Sequence, residues 1–477
     1  MLISNVSISS QQLNTQIEKI RELDLSLFKH YQKQIFIDRN LSRKLVSFQG
    51  NKDLKYYRWY KYKEAFSASL VEYLFNQYNI NADKFLDPFA GSGTALFACS
   101  DLGIIADGIE LLPIGQKIIE ANIIARKASK NYLINTLNKW LNDKKWNQEG
   151  GIKTFEIFPI TENAYSIENE HKIKRYLYEL DKEKEEVRDI LILALLSILE
   201  SISYTRKDGQ YLRWDYRSNR TKGSKIFDKG IILSFDMAIT EKLKEIREDI
   251  MNSNQNNDLL SLLYPNKNSG KINLLKGSCL DILPTIKSNS YTGIITSPPY
   301  CNRYDYTRTY ALELAILGVK QDELSQLRQQ MLSCTVENKN KELLSFNGEW
   351  KRAIEVCDKM PLLREILNYL EDKKNKGELN NNGIVRMIRG YFYEMCCVIQ
   401  ECYRILKEDS LMFMVNDNVR YAGISISLDL ILSNIAENLG FKIAKILVLP
   451  NKKGNSSQQM DTYGKDELRK CIYIWRK

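Results

Sequence analysis

The sequence predicts an α/β protein with an open, doubly wound sheet that is interrupted by insertions, and three observations support this. Short apolar strands alternate with helices over residues 84–127. The alternation stops after residue 127 and resumes at residues 271–300 and 386–477. A glycine-rich turn follows the first of these strands, as in the nucleotide sites of open sheets. Strands that alternate with helices favour parallel pairing within one sheet.

The composition is typical of a soluble protein with more than one domain. The chain has 477 residues, of which 44% are hydrophobic, and its net charge is +10. This length predicts two or three domains, and the positive charge favours a polyanionic partner. The nine cysteines show no paired C-x-x-C spacing, and no stretch reaches 18 apolar residues. We therefore predict a cytoplasmic protein without a disulfide framework or a membrane anchor. His30 and His171 lie outside any ligand cluster, so no metal is predicted.

Two segments precede the first strand of the sheet. Residues 1–55 are predicted to form two short helices, as an N-terminal arm that packs on the core or faces the binding partner. Residues 56–67 combine aromatic and basic side chains, a combination typical of surfaces on which nucleic-acid bases stack. Core packing is the alternative for Trp59 and Tyr60. The first half of the core is predicted at residues 56–128.

A glycine-rich turn connects the first predicted strand to the helix that follows it. The sequence DPFAGSGT, residues 87–94, ends an apolar strand at 84–89 and opens a helix at 94–102. Gly91 and Gly93 can adopt backbone angles that side chains disfavour, and they let the backbone pass close to a ligand. This turn therefore predicts a nucleotide-type binding site.

The second predicted strand, residues 104–109, ends in Glu110. A carboxylate at this place can accept hydrogen bonds from both hydroxyl groups of a ribose. Alternatively, Glu110 is a charge that stabilises the N-terminus of the helix that begins at Pro113.

An insertion at residues 129–270 interrupts the core and is predicted to be largely helical. Its apolar helix at 191–202 must be buried. The following segment, 204–225, carries seven Lys or Arg against two Asp, together with four aromatic residues. Cations bind phosphates and aromatic rings stack on bases, so we predict that this segment recognises nucleic acid; a solvated charged loop is the alternative. The residues expected to contact nucleic acid are Arg206, Tyr211, Arg213, Trp214 and Arg217.

The core resumes at residues 271–318, where a second apolar strand ends in a sharp turn, Ser297-Pro298-Pro299-Tyr300. Two successive prolines fix the backbone and hold the nearby carbonyl groups rigid. The Ser297 hydroxyl and the Pro298 carbonyl can accept both N–H protons of an exocyclic amine, which favours the nitrogen geometry that attacks a methyl group. The Tyr300 ring offers a face on which an extruded base can stack. A simple loop after a core strand is the alternative.

Two further regions complete the chain. Residues 319–385 are predicted to be a second helical insertion, either a lid or part of a nucleic-acid cleft. Residues 386–477 return to the core and end in two apolar strands, 441–449 and 471–475, which we expect to form a hairpin. Gln458 and Gln459 lie between these strands, and their amides can pair with base edges. Ordinary turn residues are the alternative.

The combination of DPFAGSGT at 87–94 and TSPPY at 296–300 resembles the S-adenosylmethionine-dependent DNA amino methyltransferases of restriction–modification systems, which modify cytosine N4 or adenine N6. The resemblance implies a Rossmann-like class I methyltransferase fold with a seven-stranded mixed sheet and a largely helical insertion for DNA recognition. It implies S-adenosyl-L-methionine as the cofactor, double-stranded DNA as the partner and a target base that is flipped out of the duplex. Serine before the two prolines implies cytosine N4 as the methylated atom, with adenine N6 as the alternative. No nuclease motif is visible, so DNA cleavage would require a separate cognate restriction endonuclease.

The resemblance also implies roles for individual residues. The segment KYKEAFS, residues 61–67, corresponds to the family's segment that encloses the methionine end of the cofactor. The residue after Gly277 approaches the adenine of the cofactor and is often Asp in this family, whereas here it is Ser278. The expected catalytic residues are Ser297, Pro298, Pro299 and Tyr300. The expected cofactor-binding residues are Tyr62, Lys63, Phe66, Ser67, Asp87, Pro88, Phe89, Ala90, Gly91, Gly93, Thr94, Glu110, Ser278 and Cys279. Additional DNA contacts are expected from Asn302, Arg303, Tyr304, Gln458 and Gln459.

Two other functions are compatible with parts of this pattern. An RNA methyltransferase uses the same amine chemistry, but no RRM-type aromatic motif is visible in the sequence. A catalytically silent DNA-binding subunit does not need an intact site, and the presence of Asp87, Gly91, Gly93, Glu110 and the SPPY turn argues against it.

Overall fold

The computed structural model is built on a large mixed sheet. It describes residues 2–80, 82–208, 211–220, 226–252, 269–450, 453–454 and 467–477. The strands are β1 (Ile35–Ile37), β2 (Lys84–Asp87), β3 (Ile105–Glu110), β4 (Thr205–Lys207), β5 (Leu212–Trp214), β6 (Ile272–Lys276), β7 (Tyr291–Thr296), β8 (Leu406–Asp417), β9 (Val419–Tyr421), β10 (Ile424–Ile426), β11 (Lys442–Val448), β12 (Lys453–Gly454), β13 (Glu467–Leu468) and β14 (Lys470–Arg476). Within these residues the central sheet has eight strands in the order β1-β11-β14-β8-β7-β2-β3-β6. Of these eight, only β14 runs antiparallel to its neighbours.

Helices cover both faces of the sheet. They are Leu2–Tyr31, Ala68–Gln77, Thr94–Asp101, Pro113–Lys127, Lys130–Asp143, Ile167–Leu180, Glu185–Ile202, Phe235–Met251, Cys279–Ile282, Tyr306–Thr309, Ala311–Ile316, Gln321–Gln330, Leu343–Phe346, Lys351–Asp358, Pro361–Asn375, Ile384–Ile405 and Leu428–Leu439. Side chains alternate between the two faces of a strand. Accordingly, Leu86 and Ile294 pack into one core cluster, whereas Phe85 and Ile295 pack into a second cluster on the opposite face. The sheet is therefore buried on both sides, as the α/β prediction requires.

The N-terminal segment differs from the sequence prediction. The prediction of two short helices is wrong, because Leu2–Tyr31 forms one 30-residue helix that no Gly or Pro interrupts. Tyr31, the last residue of this helix, donates a hydrogen bond at 2.7 Å to Glu437 in the helix Leu428–Leu439. The chain then adds β1 to the edge of the sheet, where Ile35 pairs with Ile446. This edge strand, too short to show a clear alternation, makes the sheet eight-stranded rather than seven-stranded.

The strand order brings several chain segments to one edge of the sheet. The parallel strands β8, β7, β2 and β3 are consecutive neighbours, so their carboxyl ends meet at this edge. The residues at or just beyond these ends are Asp417, Ser297, Asp87 and Glu110. Because β14 runs in the opposite direction, its first residue, Lys470, reaches the same edge and lies opposite Asp417.

The two insertions pack against the core. The apolar stretch at 191–202 lies within the helix Glu185–Ile202, and Leu193, Leu195 and Leu199 are fully buried there. Burial of such side chains contributes about 1.5–3 kcal/mol each. In the second insertion, the helix Pro361–Asn375 packs beside the N-terminal helix, where Lys19 pairs with Glu365 at 2.9 Å.

Candidate functional site

A cavity of about 390 Å³ opens at the carboxyl edge of β2, β3, β7 and β8. Its wall is formed by the glycine-rich turn, the ends of β3 and β7, the turn at 277–279 and the segment 62–66. Among the described residues, no group of three or more His, Cys, Asp or Glu side chains is arranged to hold a metal ion. In the same described ranges, no helix is long and apolar enough to cross a membrane.

Most of the predicted catalytic and cofactor-binding residues line this one cavity. They are Tyr62, Lys63, Phe66, Asp87, Pro88, Phe89, Ala90, Gly91, Thr94, Glu110, Ser278, Cys279, Ser297, Pro298, Pro299 and Tyr300, together with Asn302 and Tyr304 from the predicted DNA contacts. Ser67 and Gly93 are outside the lining. The buried Ser67 hydroxyl donates to the Leu45 carbonyl at 2.6 Å and accepts from the Leu70 N–H, so it caps the helix Ala68–Gln77.

The two glycines of the turn have different surroundings. Both have positive φ angles, 55° for Gly91 and 78° for Gly93, a region that favours glycine. Gly91 faces the cavity, and a Cβ built there would lie 3.2 Å from Tyr62 Cε1. A Cβ at Gly93 would instead lie 2.7 Å from Ile119 Cγ1, in the helix Pro113–Lys127. Gly91 therefore opens room for a ligand, whereas Gly93 allows the turn to pack on its supporting helix.

Glu110 is buried at the end of β3, and backbone groups hold both of its oxygens. Oε2 accepts from the Gly91 N–H at 2.6 Å, and Oε1 accepts from the Leu112 N–H at 2.7 Å. Burial raises the pKa of Glu110 to about 8, and the N–H donors oppose this rise. Each carboxylate oxygen can accept a further hydrogen bond. The fixed orientation therefore suits a pair of ribose hydroxyl groups in the cavity.

Asp87 connects the glycine-rich turn to the strand that carries the SPPY turn. Its Oδ1 accepts from the Phe89 N–H at 3.0 Å and from the Thr296 hydroxyl at 2.6 Å. Burial raises the pKa of Asp87 to about 7. Because Thr296 immediately precedes Ser297, this buried pair sets the position of the SPPY turn relative to the glycine-rich turn.

The SPPY turn lies against β8. The Ser297 hydroxyl can donate to the Val415 carbonyl at 3.1 Å or to the Tyr300 hydroxyl at 3.3 Å. Since either acceptor uses its single proton, Ser297 can present its oxygen as an acceptor. Burial raises the pKa of Tyr300, and the nearby Lys470 ammonium opposes the rise. The turn therefore offers an oriented acceptor beside an aromatic ring.

The aromatic run at 56–66 has two roles in the structure. Trp59 and Tyr60 are buried, and the Trp59 indole donates to Asp249 at 2.9 Å, so these two rings belong to the core. Tyr62 lines the cavity and stacks on Tyr310 with 5.2 Å between ring centroids. The segment from Tyr62 to Phe66 thus forms cavity wall, and its contact with the methionine end of the cofactor remains a prediction.

A strap from the second insertion, residues 328–338, closes one side of the cavity. Arg328 donates to the Thr307 hydroxyl and pairs with Asp305 at 3.1 Å, just after the SPPY turn. The Ser278 hydroxyl donates to the Gln330 carbonyl at 2.9 Å. Gln330, Met331 and Leu332 then line the cavity. The Ser278 hydroxyl is therefore already engaged by the strap, and the strap supplies additional wall beside the turn at 277–279.

The basic segment forms a hairpin of β4 and β5 in which only part of the charge is exposed. Arg206 and Arg213 are directly opposite each other across the hairpin, and both are exposed. Like charges that face each other across two strands are destabilising. An anion between them removes that penalty. These two arginines are therefore the best-placed cations of the hairpin for a phosphate group.

Arg213 is also 3.7 Å from an oxygen of the exposed Asp208 and lies over the Phe227 ring, and further cations of this segment have partners within the protein. Arg217 forms a bidentate pair with Asp215, at 2.7 and 2.9 Å, and also donates to the Gly230 carbonyl. Lys207 is buried in an ion pair with Glu313. Tyr211 is half-exposed, and Trp214 lies under the guanidinium of Arg220. Arg217 thus supports the loop, and its predicted contact with nucleic acid remains a prediction.

The residues that follow the SPPY turn also divide between cavity and support. Asn302 and Tyr304 line the cavity, and the Tyr304 hydroxyl donates to Glu64. Arg303 is outside the lining, where it donates to Asn380 of the second insertion at 3.3 Å. Gln458 and Gln459 lie outside the described residues.

The sequence analysis did not single out several residues of the wall; some, such as Ser92, lie inside the motifs, and others, such as Val46 and Lys470, are remote from them. They are Val46, Ser47, Glu64, Ala65, Ser92, Ala95, Ile109, Leu111, Leu112, Gly277, Tyr306, Gln330, Met331, Leu332, Asp417 and Lys470. A polar residue at the end of an apolar strand is a usable signal, and it marks Asp417, the last residue of β8. No comparable pattern marks the strap.

Comparison with known proteins adds an independent line of evidence. The chain is 54% identical to the type II methyltransferase M.AvaI of Nostoc sp. over 471 residues, which cover 98% of this chain and 96% of the relative. It is 38% identical to the type II methyltransferase M.BsoBI of Geobacillus stearothermophilus, with 98% and 94% coverage. A shorter match of 26% identity, over 31% of this chain, joins it to M.MjaII of Methanocaldococcus jannaschii. No protein-family model matches the chain.

The full-length matches agree with the arrangement of the cavity. They cover both insertions as well as the core, so the relatives share the whole chain rather than one motif. The Gly91 turn and the Glu110 carboxylate fit the cofactor that these enzymes use, because the turn leaves space in the cavity and the carboxylate lines that cavity with both oxygens held by backbone N–H groups. The chain therefore belongs to the type II DNA methyltransferases of restriction–modification systems, which use S-adenosylmethionine as methyl donor.

Proposed function

We propose that this enzyme methylates the exocyclic N4 amine of a cytosine that is flipped out of double-stranded DNA. The observation that carries the proposal is the position of Ser297 at the cavity wall. Its hydroxyl proton has acceptors in the Val415 carbonyl at 3.1 Å and the Tyr300 hydroxyl at 3.3 Å, so its oxygen is available to accept an amine N–H. Serine, rather than the longer Asp or Asn, precedes the two prolines, and in the related amino methyltransferases this accompanies cytosine N4.

The chemistry requires the amine nitrogen to regain a localised lone pair. The lone pair of an exocyclic amine is delocalised into the base, and two acceptors on its N–H protons favour the pyramidal nitrogen of the transition state. Ser297 supplies one acceptor and the Pro298 carbonyl supplies the other. Bound S-adenosylmethionine supplies the electrophilic methyl group. The protein therefore contributes orientation and exclusion of water, which account for much of the rate.

The remaining residues of the turn hold the base. The Tyr300 ring offers a stacking face, and Pro298 and Pro299 keep this face and the acceptors in one rigid unit. The methylated amine is a very acidic cation that loses its proton to water, so the mechanism needs no strong general base. Asp87 and Thr296 maintain the turn in register with the cofactor side of the cavity.

We assign DNA contact to the exposed face of the β4–β5 hairpin. Arg206 and Arg213 lie opposite each other there, and the half-exposed Tyr211 lies next to β5. Two arginines at this spacing bind a phosphate group well. The membership in restriction–modification systems suggests a separate cognate endonuclease as the other component.

Nucleoside analysis tests the proposed product. DNA methylated by the purified enzyme is digested to nucleosides and analysed by mass spectrometry, and N4-methylcytosine is the expected product. Ser297→Ala should lower turnover by about 10² to 10³, as expected when one preorganised hydrogen bond to a transition state is removed. Ser290→Ala is the matched control, because Ser290 precedes β7 at its opposite end and its hydroxyl bonds only a local carbonyl. Production of N6-methyladenine alone would show that the target is adenine.

A further inference from the structure

An ion pair at the cavity wall is not used by the mechanism above. Lys470 and Asp417 are directly opposite each other on β14 and β8, and both line the cavity beside Ser297 and Tyr300. Their side chains are only 18% and 8% exposed. A nearly buried charge pair costs desolvation energy, so its place in the site points to a function beyond joining the two strands.

The geometry keeps the Lys470 ammonium at one place. Its Nζ is 3.3 Å from Asp417 Oδ1 and 5.5 Å from the centroid of the Tyr300 ring. Burial opposes the charged form, but Tyr300 and Asp417 outweigh it and hold the pKa of Lys470 above its ordinary value. An ammonium group has three N–H donors. Asp417 and Tyr300 can take two of them, which leaves one for a ligand in the cavity.

We propose that Lys470 selects cytosine over adenine by donating a hydrogen bond to the O2 carbonyl of the flipped base. This inference rests on the proposed function, because it requires a base stacked on Tyr300 with its amine at Ser297. The Nζ is 5.5 Å from the centroid of the Tyr300 ring, so a base that stacks on the part of the ring that the ammonium leaves uncovered can place its polar edge within reach of the ammonium. Lys470 is thus a specificity-determining residue.

The chemistry of the two bases explains the selection. Starting from the amine, the edge of cytosine continues with the acceptor N3 and then the acceptor O2. The edge of adenine continues with the acceptor N1 and then an apolar C2–H. The third position therefore separates the bases, and a donor fixed there gains a hydrogen bond from cytosine only. With adenine, the ammonium loses water without gaining a new acceptor, which is unfavourable in a buried site.

This hydrogen bond should act on binding more than on the methyl-transfer step. A cation at O2 draws electron density from the ring and so does not increase the nucleophilicity of the amine. The amine nitrogen of the base becomes positive during methyl transfer, and the Asp417 carboxylate offsets the charge of the nearby Lys470 ammonium. Removal of the hydrogen bond should therefore raise KM for DNA while kcat changes little. Ser297→Ala should instead lower kcat and leave KM for DNA largely unchanged, so the two kinetic constants separate the role of Ser297 from that of Lys470.

A combination of protein and base substitutions provides the test. Methylation mapping of genomic DNA first identifies the target site and the methylated base. Duplexes that carry this site are then made with cytosine or with 2-thiocytosine, whose sulfur is a weaker acceptor than oxygen, as the target. The parent enzyme and Lys470→Met are compared on both duplexes. Lys442→Met is the matched control, since Lys442 is exposed on the adjacent strand β11.

The expected results are specific to a base contact. Lys470→Met should raise KM by about 10- to 100-fold, the range expected for one base-edge contact. The parent enzyme should have a higher KM for the 2-thiocytosine duplex than for the cytosine duplex, and we call this difference the sulfur penalty. It should largely disappear in Lys470→Met. Lys470→Arg keeps a donor and should retain most of the preference for the oxygen-containing base. Affinity for S-adenosylmethionine should stay at the parental level in every variant.

Two results would overturn the inference. An unchanged sulfur penalty in Lys470→Met, or equal KM increases in Lys470→Arg and Lys470→Met, would show that the ion pair only joins β14 to β8. If Lys470→Met does not fold, the parent enzyme decides the question, because equal KM values for the cytosine and 2-thiocytosine duplexes would show that the protein donates no hydrogen bond to this position of the base. N6-methyladenine as the product of the parent enzyme would refute the proposed function itself, and the role of Lys470 with it.

Discussion

Alanine at the two glycines of the cofactor turn separates ligand binding from packing. Gly91 and Gly93 have φ angles of 55° and 78°, so an added Cβ costs about 1–2 kcal/mol at either position. This shared conformational cost makes Gly91→Ala and Gly93→Ala a matched pair. They differ only in what the new methyl group touches.

Gly93→Ala carries a second cost that Gly91→Ala avoids. Its Cβ would lie 2.7 Å from Ile119 Cγ1 and 3.0 Å from Phe97 Cε2, whereas carbon atoms normally stay about 3.5–4.0 Å apart. Overpacking of this kind costs about 1–3 kcal/mol, so the free energy of unfolding should fall by about 2–5 kcal/mol in total. At Gly91 the methyl touches only the edge of Tyr62 at 3.2 Å, and the decrease should stay at about 1–2 kcal/mol.

The effect on the cofactor should be the reverse. The Gly91→Ala methyl group enters the cavity wall, and S-adenosylmethionine should bind about tenfold more weakly, which corresponds to about 1.4 kcal/mol. Folded Gly93→Ala should bind it with nearly parental affinity. Denaturant unfolding and calorimetric titration measure the two quantities on the same preparations. If Gly93→Ala is as stable as the parent and loses more cofactor affinity than Gly91→Ala, the roles assigned to the two glycines are refuted.

Two further predictions concern charge. Burial raises the pKa of Glu110 to about 8. Ribose hydroxyl groups donate stronger hydrogen bonds to the ionised carboxylate than to the protonated acid. Affinity for S-adenosylmethionine should therefore increase as the pH rises through about 8, and titrations of Glu110→Gln should show a weaker affinity without this increase. Arg206→Ala and Arg213→Ala should lower DNA affinity and reduce its salt dependence by about one unit of slope for each phosphate group that the variant no longer binds. Arg217→Ala should change the slope less than either of these variants, because Asp215 holds that guanidinium; equal slopes for all three variants and the parent would exclude the hairpin from phosphate binding.

The core of the fold was predictable because its signals are local. The glycine-rich turn needs backbone angles that glycine supplies, and it lies between an apolar strand and a helix within a few residues. The SPPY turn is equally local, since two prolines must end β7. Once such turns follow parallel strands of one sheet, topology brings them to the same edge. This explains why Gly91, Glu110 and Ser297, identified separately in the sequence, line one cavity.

The rest of the wall depends on long-range packing that has no periodic signal. Residues 330–332 reach the cavity because Arg328 binds Asp305 and Thr307, which lie more than twenty positions away in the chain. Lys470 reaches it because β14 runs against its neighbours and begins at the edge where they end. The edge strand β1 is only three residues long, and such a segment gains its structure from pairing with β11 rather than from its own pattern.

The basic hairpin shows how a charge count differs from an electrostatic surface. The sequence of 204–225 has an excess of positive charge, but burial and pairing determine which cations can meet DNA. Lys207 is buried against Glu313 and Tyr60, at the base of the hairpin beside the cavity wall. Removal of one member of such a pair costs more than removal of a surface charge, because the remaining charge stays desolvated. Lys207 therefore joins the hairpin to the helix Ala311–Ile316, and the exposed Arg206 and Arg213 are carried on a support that is continuous with the catalytic half of the protein.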